Sequence, residues 1–327
     1  MLEIIFIFLP FIIIAACANH ADKSKRWEVL TYIMLAGFCL LIVISGLFSL
    51  LAGSMQDVLI EQEVFAQGDL PVNLPVLGII MLFTGIISPI FLIKNIREIT
   101  ANFLSINPNS AIHTTGLVFA LIVTGLSFGV MFSIDFAALL VSSQQAQISE
   151  YDFLFQGILI VLLALTAVGI WTRRTPQQCL KRLSLEIPPP EHIIIAVLAV
   201  PAFFVIQALF GFIITILNPE SLADIENITE IIFSTNSLMF AIIVSAAAGI
   251  SEEILFRGAL QPRFGILFTA FLFAVVHSHY PSLPAILQLF IFGILLGYLK
   301  EKTNTTACII THFLYDLSAF LVLIYGT

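Results

Sequence analysis

The chain has 327 residues, of which 59% are hydrophobic and only 10% are charged, whereas an ordinary soluble domain has about 25% charged residues. A water-soluble fold of this length needs far more polar surface, so the composition excludes a soluble globular protein and a disordered one. Four scattered cysteines exclude a disulfide-built scaffold. The net charge of −8 argues against nucleic acid as a partner. The composition therefore predicts an integral membrane protein.

Apolar segments long enough to cross a bilayer, about 20 residues each, recur along the whole chain. Ten segments qualify, namely residues 2–18, 29–53, 75–93, 112–141, 153–171, 192–217, 236–256, 264–278, 283–299 and 303–324. We therefore predict an all-α, polytopic membrane helix bundle of about ten transmembrane helices, with the lipid bilayer as its surroundings.

The loops between these segments predict the orientation of the chain. All 13 lysines and arginines fall in loops on one side of the predicted topology. The opposite loops, such as residues 54–74 and 218–235, contain acidic residues and no Lys or Arg. By the positive-inside rule the basic side is cytoplasmic, so we expect both termini to lie outside.

Three consecutive prolines, Pro188 to Pro190, follow a basic cytoplasmic stretch. Because such a run cannot continue a helix, it predicts a boundary between two units. Residues 1–187 would form a five-helix membrane module of unknown role, and residues 188–327 a second bundle. In the first module only Asp135 is ionisable and well inside a predicted span, so we expect that module to pack or to shape a substrate path.

In the second bundle, ionisable side chains enter three predicted spans. Glu252 and Glu253 lie in the first, His277 in the next, and His312 with Asp316 in the last. An ionisable group in the hydrocarbon layer costs about 2.5–3.5 kcal/mol on insertion scales, so such groups are rarely idle. A rise of about 1.5 Å per residue places Glu252, His277 and His312 between about 12 and 20 Å from the cytoplasmic boundary. This similar depth predicts one shared site.

The spacing of these residues adds detail to the predicted site. Glu253 and Arg257 are four residues apart, so the guanidinium can orient the carboxylate, although a structural ion pair is an equally good interpretation. His312 and Asp316 share a helix face for the same reason. Glu252 and Glu253 are about 100° apart around a helix, so one of the two faces the site. The spacing does not settle which one.

Three short motifs occur in order on these spans, and they are Glu252-Glu253-x-x-x-Arg257, Phe273-x-x-x-His277 and His312-x-x-x-Asp316. Their order and spacing resemble the motifs of the CAAX-protease and bacteriocin-processing (CPBP, or ABI) family of intramembrane endopeptidases. The resemblance covers about residues 236–325.

The resemblance implies that a glutamate activates water to hydrolyse a peptide bond of a membrane-associated protein or peptide. The residues to which it assigns catalytic roles are Glu252, Glu253, His277, His312 and Asp316. Arg257 and Phe273 would support them. Asp316 stands where the eukaryotic family member has Asn, and a carboxylate lacks the donor that an amide offers to an oxyanion.

A divalent metal such as Zn²⁺ is the one cofactor that these residues suggest. Two histidines with a carboxylate suit zinc with an open position for water, and the candidate ligands are His277, His312 and Glu253. A metal-assisted mechanism and a metal-free glutamate mechanism both remain open.

Two other functions fit intramembrane ionisable residues. A proton- or cation-coupled transporter would need them as well, but such proteins often contain internal repeats, and we identify none. A non-catalytic immunity or scaffold protein is the other alternative. We expect a multi-pass protein of a prokaryotic plasma membrane, with a membrane-associated peptide or protein as its partner.

Overall fold

A computed structural model describes residues 2–55, 71–135, 138, 149–217, 219–220, 222–223, 225, 229, 237–280 and 282–325. Over these residues the secondary structure is helical and contains no β-strand, which confirms the all-α prediction. The acidic loops predicted over residues 54–74 and 218–235 lie mostly outside the described residues.

The described helices are, in chain order, α1 (Leu2–His20), α2 (Lys25–Ser54), α3 (Leu74–Ile87), α4 (Lys94–Thr100), α5 (Ala111–Ser133), α6 (Glu150–Ala167), α7 (Pro176–Arg182), α8 (Pro190–Leu217), α9 (Leu238–Glu253), α10 (Gln261–Val275), α11 (Leu283–Lys302) and α12 (Thr305–Tyr325). A π-helical segment, Ile254–Leu260, joins α9 to α10.

Nine helical runs of the described chain are long and apolar enough to cross a membrane. Eight of them each overlap one predicted span, and the remaining run, Leu238–Val275, covers two. The chain is therefore an integral, multi-pass membrane protein, as predicted. The outward orientation of both termini stays a prediction.

The run Leu238–Val275 folds back on itself. A straight helix would place Glu252 and His277, 25 residues apart, at a separation of about 37 Å, but Glu252 Oε2 lies 3.9 Å from His277 Nε2. The helix breaks at Gly265, whose φ of 76° and ψ of 172° belong to a region that only glycine adopts readily. The two predicted spans are therefore separate arms. The turn predicted between residues 257 and 263 is helical instead, and the reversal comes at Gly265.

The fourth predicted span, residues 112–141, begins with helix α5 but extends beyond its end. Helix α5 ends at Ser133, because the backbone beyond it pairs with the segment before α3. Ile134 forms an isolated bridge with Val72, and the Asp135 N–H donates to the carbonyl of Pro71 at 2.8 Å. Asp135 therefore lies outside the helix that was predicted to contain it.

Close helix contacts bring the three motif-bearing arms together. A Cβ on Gly249 of α9 would lie 3.1 Å from the backbone nitrogen of Phe313 in α12, so the absent side chain lets these helices approach. Gly157 of α6 approaches the carbonyl of Ala247 in α9 in the same way. Helices on both sides of the proline run therefore surround one space. The division into two units at that run stays a prediction.

Candidate active site

The helix geometry changes directly after the two adjacent glutamates. Glu252 and Glu253 end α9, and in the following π-helical segment the Gln261 N–H donates to the carbonyl of Phe256, five residues back. Such π-helical turns are rare and often occur at functional sites. The two carboxylates face different surroundings, because Glu252 lines a cavity of about 1920 Å³, whereas Glu253 is completely buried behind it.

Both oxygens of Glu253 are in contact with other side chains. Oε2 forms an ion pair with Arg257 Nε at 3.1 Å, and both side chains are 0% exposed. Oε1 accepts a hydrogen bond from His312 Nδ1 at 2.9 Å. The guanidinium also lies over the Phe273 ring, with Cζ 4.9 Å from the ring centroid, which is a cation–π contact. Glu253 is therefore a fixed part of the protein interior.

His312 connects this buried pair to the cavity. Its Nε2 lies 3.4 Å from Asp316 Oδ2, and both side chains line the cavity wall. Because a carboxylate oxygen faces each ring nitrogen, both nitrogens can donate together only when the ring is an imidazolium. A continuous polar chain therefore runs from Arg257 through Glu253 and His312 to Asp316.

Glu252 and His277 form a second pair, which faces the cavity. His277 Nδ1 lies 2.7 Å from the carbonyl of Phe273, and a carbonyl only accepts, so Nδ1 carries the proton. In the neutral ring Nε2 is then an acceptor, 3.9 Å from Glu252 Oε2. That carboxylate oxygen has no hydrogen-bond partner among the described residues. A buried polar atom of this kind calls for water or a ligand.

The structure thus brings the seven predicted site residues into one region and divides them into two sets. Five of them line the cavity, namely Glu252, Phe273, His277, His312 and Asp316. Glu253 and Arg257 lie behind the wall and are fully buried. The Phe273 ring packs between the sets, with its centroid 5.0 Å from that of His277 and 6.2 Å from that of His312.

Tyr280 is a site residue that sequence reasoning missed. It lines the cavity, and burial together with the carboxylates of Asp316 and Glu252 raises the pKa of its phenol to about 12. The phenol is therefore protonated and can donate a hydrogen bond near both carboxylates. Its position three residues after His277 was the available signal in the sequence.

The sequence also gave no indication that Tyr315 and Gln207 would form a hydrogen bond at the cavity wall. The Tyr315 hydroxyl donates to Gln207 Oε1 at 2.9 Å, and both side chains line the cavity. Beside the site, burial and the neighbouring His277 lower the pKa of His279 to about 3, so this ring is neutral.

The predicted metal ligands do not converge in this arrangement. Glu253 is occupied by Arg257 and by His312, and His277 faces Glu252 instead. No group of three or more His, Cys, Asp or Glu side chains in the described part of the chain is placed to hold an ion. The set His277, His312 and Glu253 therefore does not fit a metal in this arrangement. Metal dependence itself stays a prediction.

Residues 234–318 match the family described as "Type II CAAX prenyl endopeptidase Rce1-like". This region contains all three motifs, so the family resemblance predicted from them is confirmed. The uncharacterized protein YpbD of Bacillus subtilis (strain 168) is 32% identical over 100 residues, which are 30% of this chain and 53% of that relative. The chain thus spans about half the length of the curated relative that it matches. No solved structure matches the chain significantly.

Proposed function

We propose that this chain, whose motif region matches the type II CAAX prenyl endopeptidase Rce1-like family, is an intramembrane endopeptidase with Glu252 as its general base. One observation carries the assignment. Glu252 faces the cavity, with its Oε2 3.9 Å from His277 Nε2, whereas Glu253 is fully buried against Arg257 at 3.1 Å and His312 at 2.9 Å. A general base needs access to water, and the Glu252 side chain is 20% exposed on the cavity wall, whereas the Glu253 side chain is 0% exposed.

The distance between Glu252 and His277 suits the activation of one water molecule. One water molecule can hydrogen-bond to Glu252 Oε2 and His277 Nε2 together, at about 2.8 Å from each, because these two atoms are 3.9 Å apart. Its two O–H groups then point at Glu252 Oε2 and His277 Nε2, so a lone pair is free to attack a carbonyl carbon. The Phe273 carbonyl fixes the His277 tautomer that makes this possible.

The remaining steps use the other cavity-facing groups. As the water oxygen bonds to the carbonyl carbon, its proton moves to Glu252 and the carbonyl oxygen becomes negative. The positive charge of the His312 imidazolium and a hydrogen bond from the Tyr280 phenol stabilise that oxyanion. Protonated Glu252 then gives its proton to the amide nitrogen as the C–N bond breaks, which leaves a carboxylic acid and an amine. Arg257 and Glu253 act by positioning His312.

A comparison of peptide termini tests this function. Membranes of cells that express the wild-type chain, Glu252→Gln or Glu191→Gln would be analysed by mass spectrometry for new peptide ends. Glu191 is an exposed glutamate at the start of α8 and serves as the matched control. We expect the same new termini with the wild type and Glu191→Gln, and none with Glu252→Gln. New termini that persist with Glu252→Gln would contradict the proposal.

A further inference from the structure

The cavity beside Glu252 has a second, chemically different end. Four arginines line it there, and we call them the arginine cluster: Arg173, Arg174, Arg182 and Arg263. Polar side chains from two neighbouring segments accompany them, namely Asn19, Asn107, Asn109, Ser110 and His113. The acidic residues that line the cavity lie elsewhere: Glu3 and Asp152 begin α1 and α6, at the opposite ends of those helices, and Glu252 and Asp316 belong to the active site.

Backbone contacts fix part of the arginine cluster in place. Arg182 Nη1 donates to the carbonyl of Gly258 at 2.9 Å, and Arg173 Nε donates to the carbonyl of Asn19 at 3.1 Å. Arg263 forms no hydrogen bond or ion pair with a described residue. Arg263 is half-buried and lines the cavity, so its side chain is available to a ligand.

Three of the four arginines have no acidic partner among the residues that the structure describes. No described carboxylate forms an ion pair with Arg174, Arg182 or Arg263. Burial, together with the charges of Arg263 and Arg174, lowers the pKa of Arg182 to about 10. Like charges gathered in a partly buried space favour the binding of an anion.

An apolar stretch separates the arginine cluster from the active site. Every cavity-lining residue is apolar over positions 116–126 of α5, 157–168 at α6 and 255–260 of the π-helical segment. Ten residues of helix rise about 15 Å, which is half of the roughly 30 Å hydrocarbon layer, or one leaflet.

The apolar stretch suits an acyl chain better than a peptide. A peptide backbone carries an N–H and a C=O at each residue, and these groups would find no side-chain partner along it. An acyl chain needs none. Polar lining residues, among them Gln207, Gln288 and Ser278, lie in the part of the cavity away from the arginine cluster. A peptide substrate therefore has its partners on that side.

We propose that this half of the cavity binds an anionic phospholipid, with the phosphate on the arginine cluster and an acyl chain along the apolar stretch. The guanidinium fork matches the oxygens of a phosphate and holds them through two hydrogen bonds. The arginine cluster lies on the face that the positive-inside rule predicts to be cytoplasmic, where basic pockets between helices bind anionic head groups. This inference is independent of the proposed protease activity.

Native mass spectrometry on the full chain, delipidated in detergent, tests the inference. The probes are phosphatidylglycerol and phosphatidylcholine with the same acyl chains, and inorganic phosphate alone. We expect phosphatidylglycerol to bind at least about tenfold more tightly than phosphatidylcholine. Inorganic phosphate at millimolar concentration should not displace it, because it lacks the acyl chain.

The matched variants are Arg263→Gln, Arg263→Lys and Lys181→Gln. Lys181 is exposed, adjoins Arg182 on α7 and does not line the cavity. We expect Arg263→Gln to weaken phosphatidylglycerol binding about tenfold, Arg263→Lys to recover part of the loss, and Lys181→Gln to bind as the wild type does. The lipid-induced rise in the unfolding temperature should follow the same order, since a ligand of the native state stabilises it.

Three results would overturn the inference. Equal binding of the two lipids would remove the role of charge. Binding of inorganic phosphate that depends on Arg263, without lipid binding, would indicate a site for a soluble anion. Binding of an acidic peptide that depends on Arg263, without lipid binding, would assign this half of the cavity to a peptide. A variant that unfolds without added lipid would be judged from Arg263→Lys instead.

Discussion

Glu252 and Glu253 are identical neighbours in the chain, yet they occupy two different regions of the molecule. Glu253 belongs to an interior chain in which Arg257 and His312 occupy its two oxygens. Glu252 belongs to the cavity wall, and its Oε2 has no hydrogen-bond partner among the described residues. In the proposed mechanism, the surroundings of each glutamate, and not its residue type, distinguish the general base from the positioning group. Each region should respond differently to substitution.

The largest expected effect is the loss of the base. Glu252→Gln keeps the shape of the side chain but cannot take a proton, so the rate of peptide cleavage should fall by about 10²- to 10⁴-fold. The free energy of unfolding should change little, because no hydrogen bond to Glu252 Oε2 is lost. Cleavage rates and denaturant titration in detergent measure the two quantities separately.

Glu252→Asp provides the control for this prediction. It keeps the carboxylate but withdraws it by about one methylene group, so part of the activity should remain. A Glu252→Gln variant as active as the wild type would show that another group, such as Glu253, takes the proton.

Breaking the buried polar chain at Glu253 or Arg257 should mainly lower the free energy of unfolding. Glu253→Gln and Arg257→Met each leave one charge buried without its partner, and each should lower the free energy of unfolding by about 3–5 kcal/mol. The double variant removes both charges, so it should be destabilised by much less than the sum of the two single variants. Denaturant titrations of all four proteins give this coupling.

Additive effects in this cycle would contradict the assignment of Glu253 and Arg257 as a coupled pair. Activity provides a further check, because Glu253 holds His312. Cleavage by Glu253→Gln should be reduced without a change in the identity of the product termini.

The sequence predicted the convergence of the polar groups well, because helical rise alone puts them at one depth. The similar depths of Glu252, His277 and His312 required only that the chain reverse between the motifs. Gly265 provides the reversal between the first two, slightly later than the predicted turn. Apolar length likewise predicted most of the helices.

The assignment of the base could not be predicted, because it depends on the rotation of α9 about its axis. Close contacts at Gly249 and Gly157 fix that rotation, and the π-helical segment after Glu253 alters the spacing that an α-helix would give. The hydrophobic periodicity of the sequence indicates neither the glycine contacts nor the π-helical segment. The arginine cluster was visible only as basic loops, since nothing in the sequence shows that its side chains turn inward.

A smaller effect is expected at Tyr280, which extends the cavity-facing region. Tyr280→Phe removes one donor from the oxyanion and should lower the cleavage rate by about 100-fold. The exposed Tyr298 on α11 is the matched control, and Tyr298→Phe should cleave as the wild type does. Equal rates for both variants would remove Tyr280 from the mechanism.

The pKa of Tyr280 also gives the pH dependence a sign. Because the folded-state pKa is raised from 10.0 to about 12, the folded chain keeps a proton that the unfolded chain releases. Any contribution of this phenol to stability is therefore complete below pH 10 and falls as the pH rises from 10 to 12. The Tyr280→Phe deficit in cleavage should be constant between about pH 6 and 9, where the phenol of the wild type is protonated. Cleavage rates of the two proteins across this range check the expectation.

The smallest effect is expected from metal removal. This experiment tests whether Glu253 keeps its contacts with His312 and Arg257 during catalysis. A metal held by His277, His312 and Glu253 would require His312 and Arg257 to release Glu253, whose contacts with them are 2.9 and 3.1 Å. Dialysis against a chelator should therefore change the cleavage rate less than about twofold, with metal content followed by elemental analysis. Activity that disappears with the metal and returns with added Zn²⁺ would instead show that these contacts open in the working enzyme. In that case Glu253→Gln should lower zinc affinity as well as stability. The same elemental analysis would detect the loss of bound zinc.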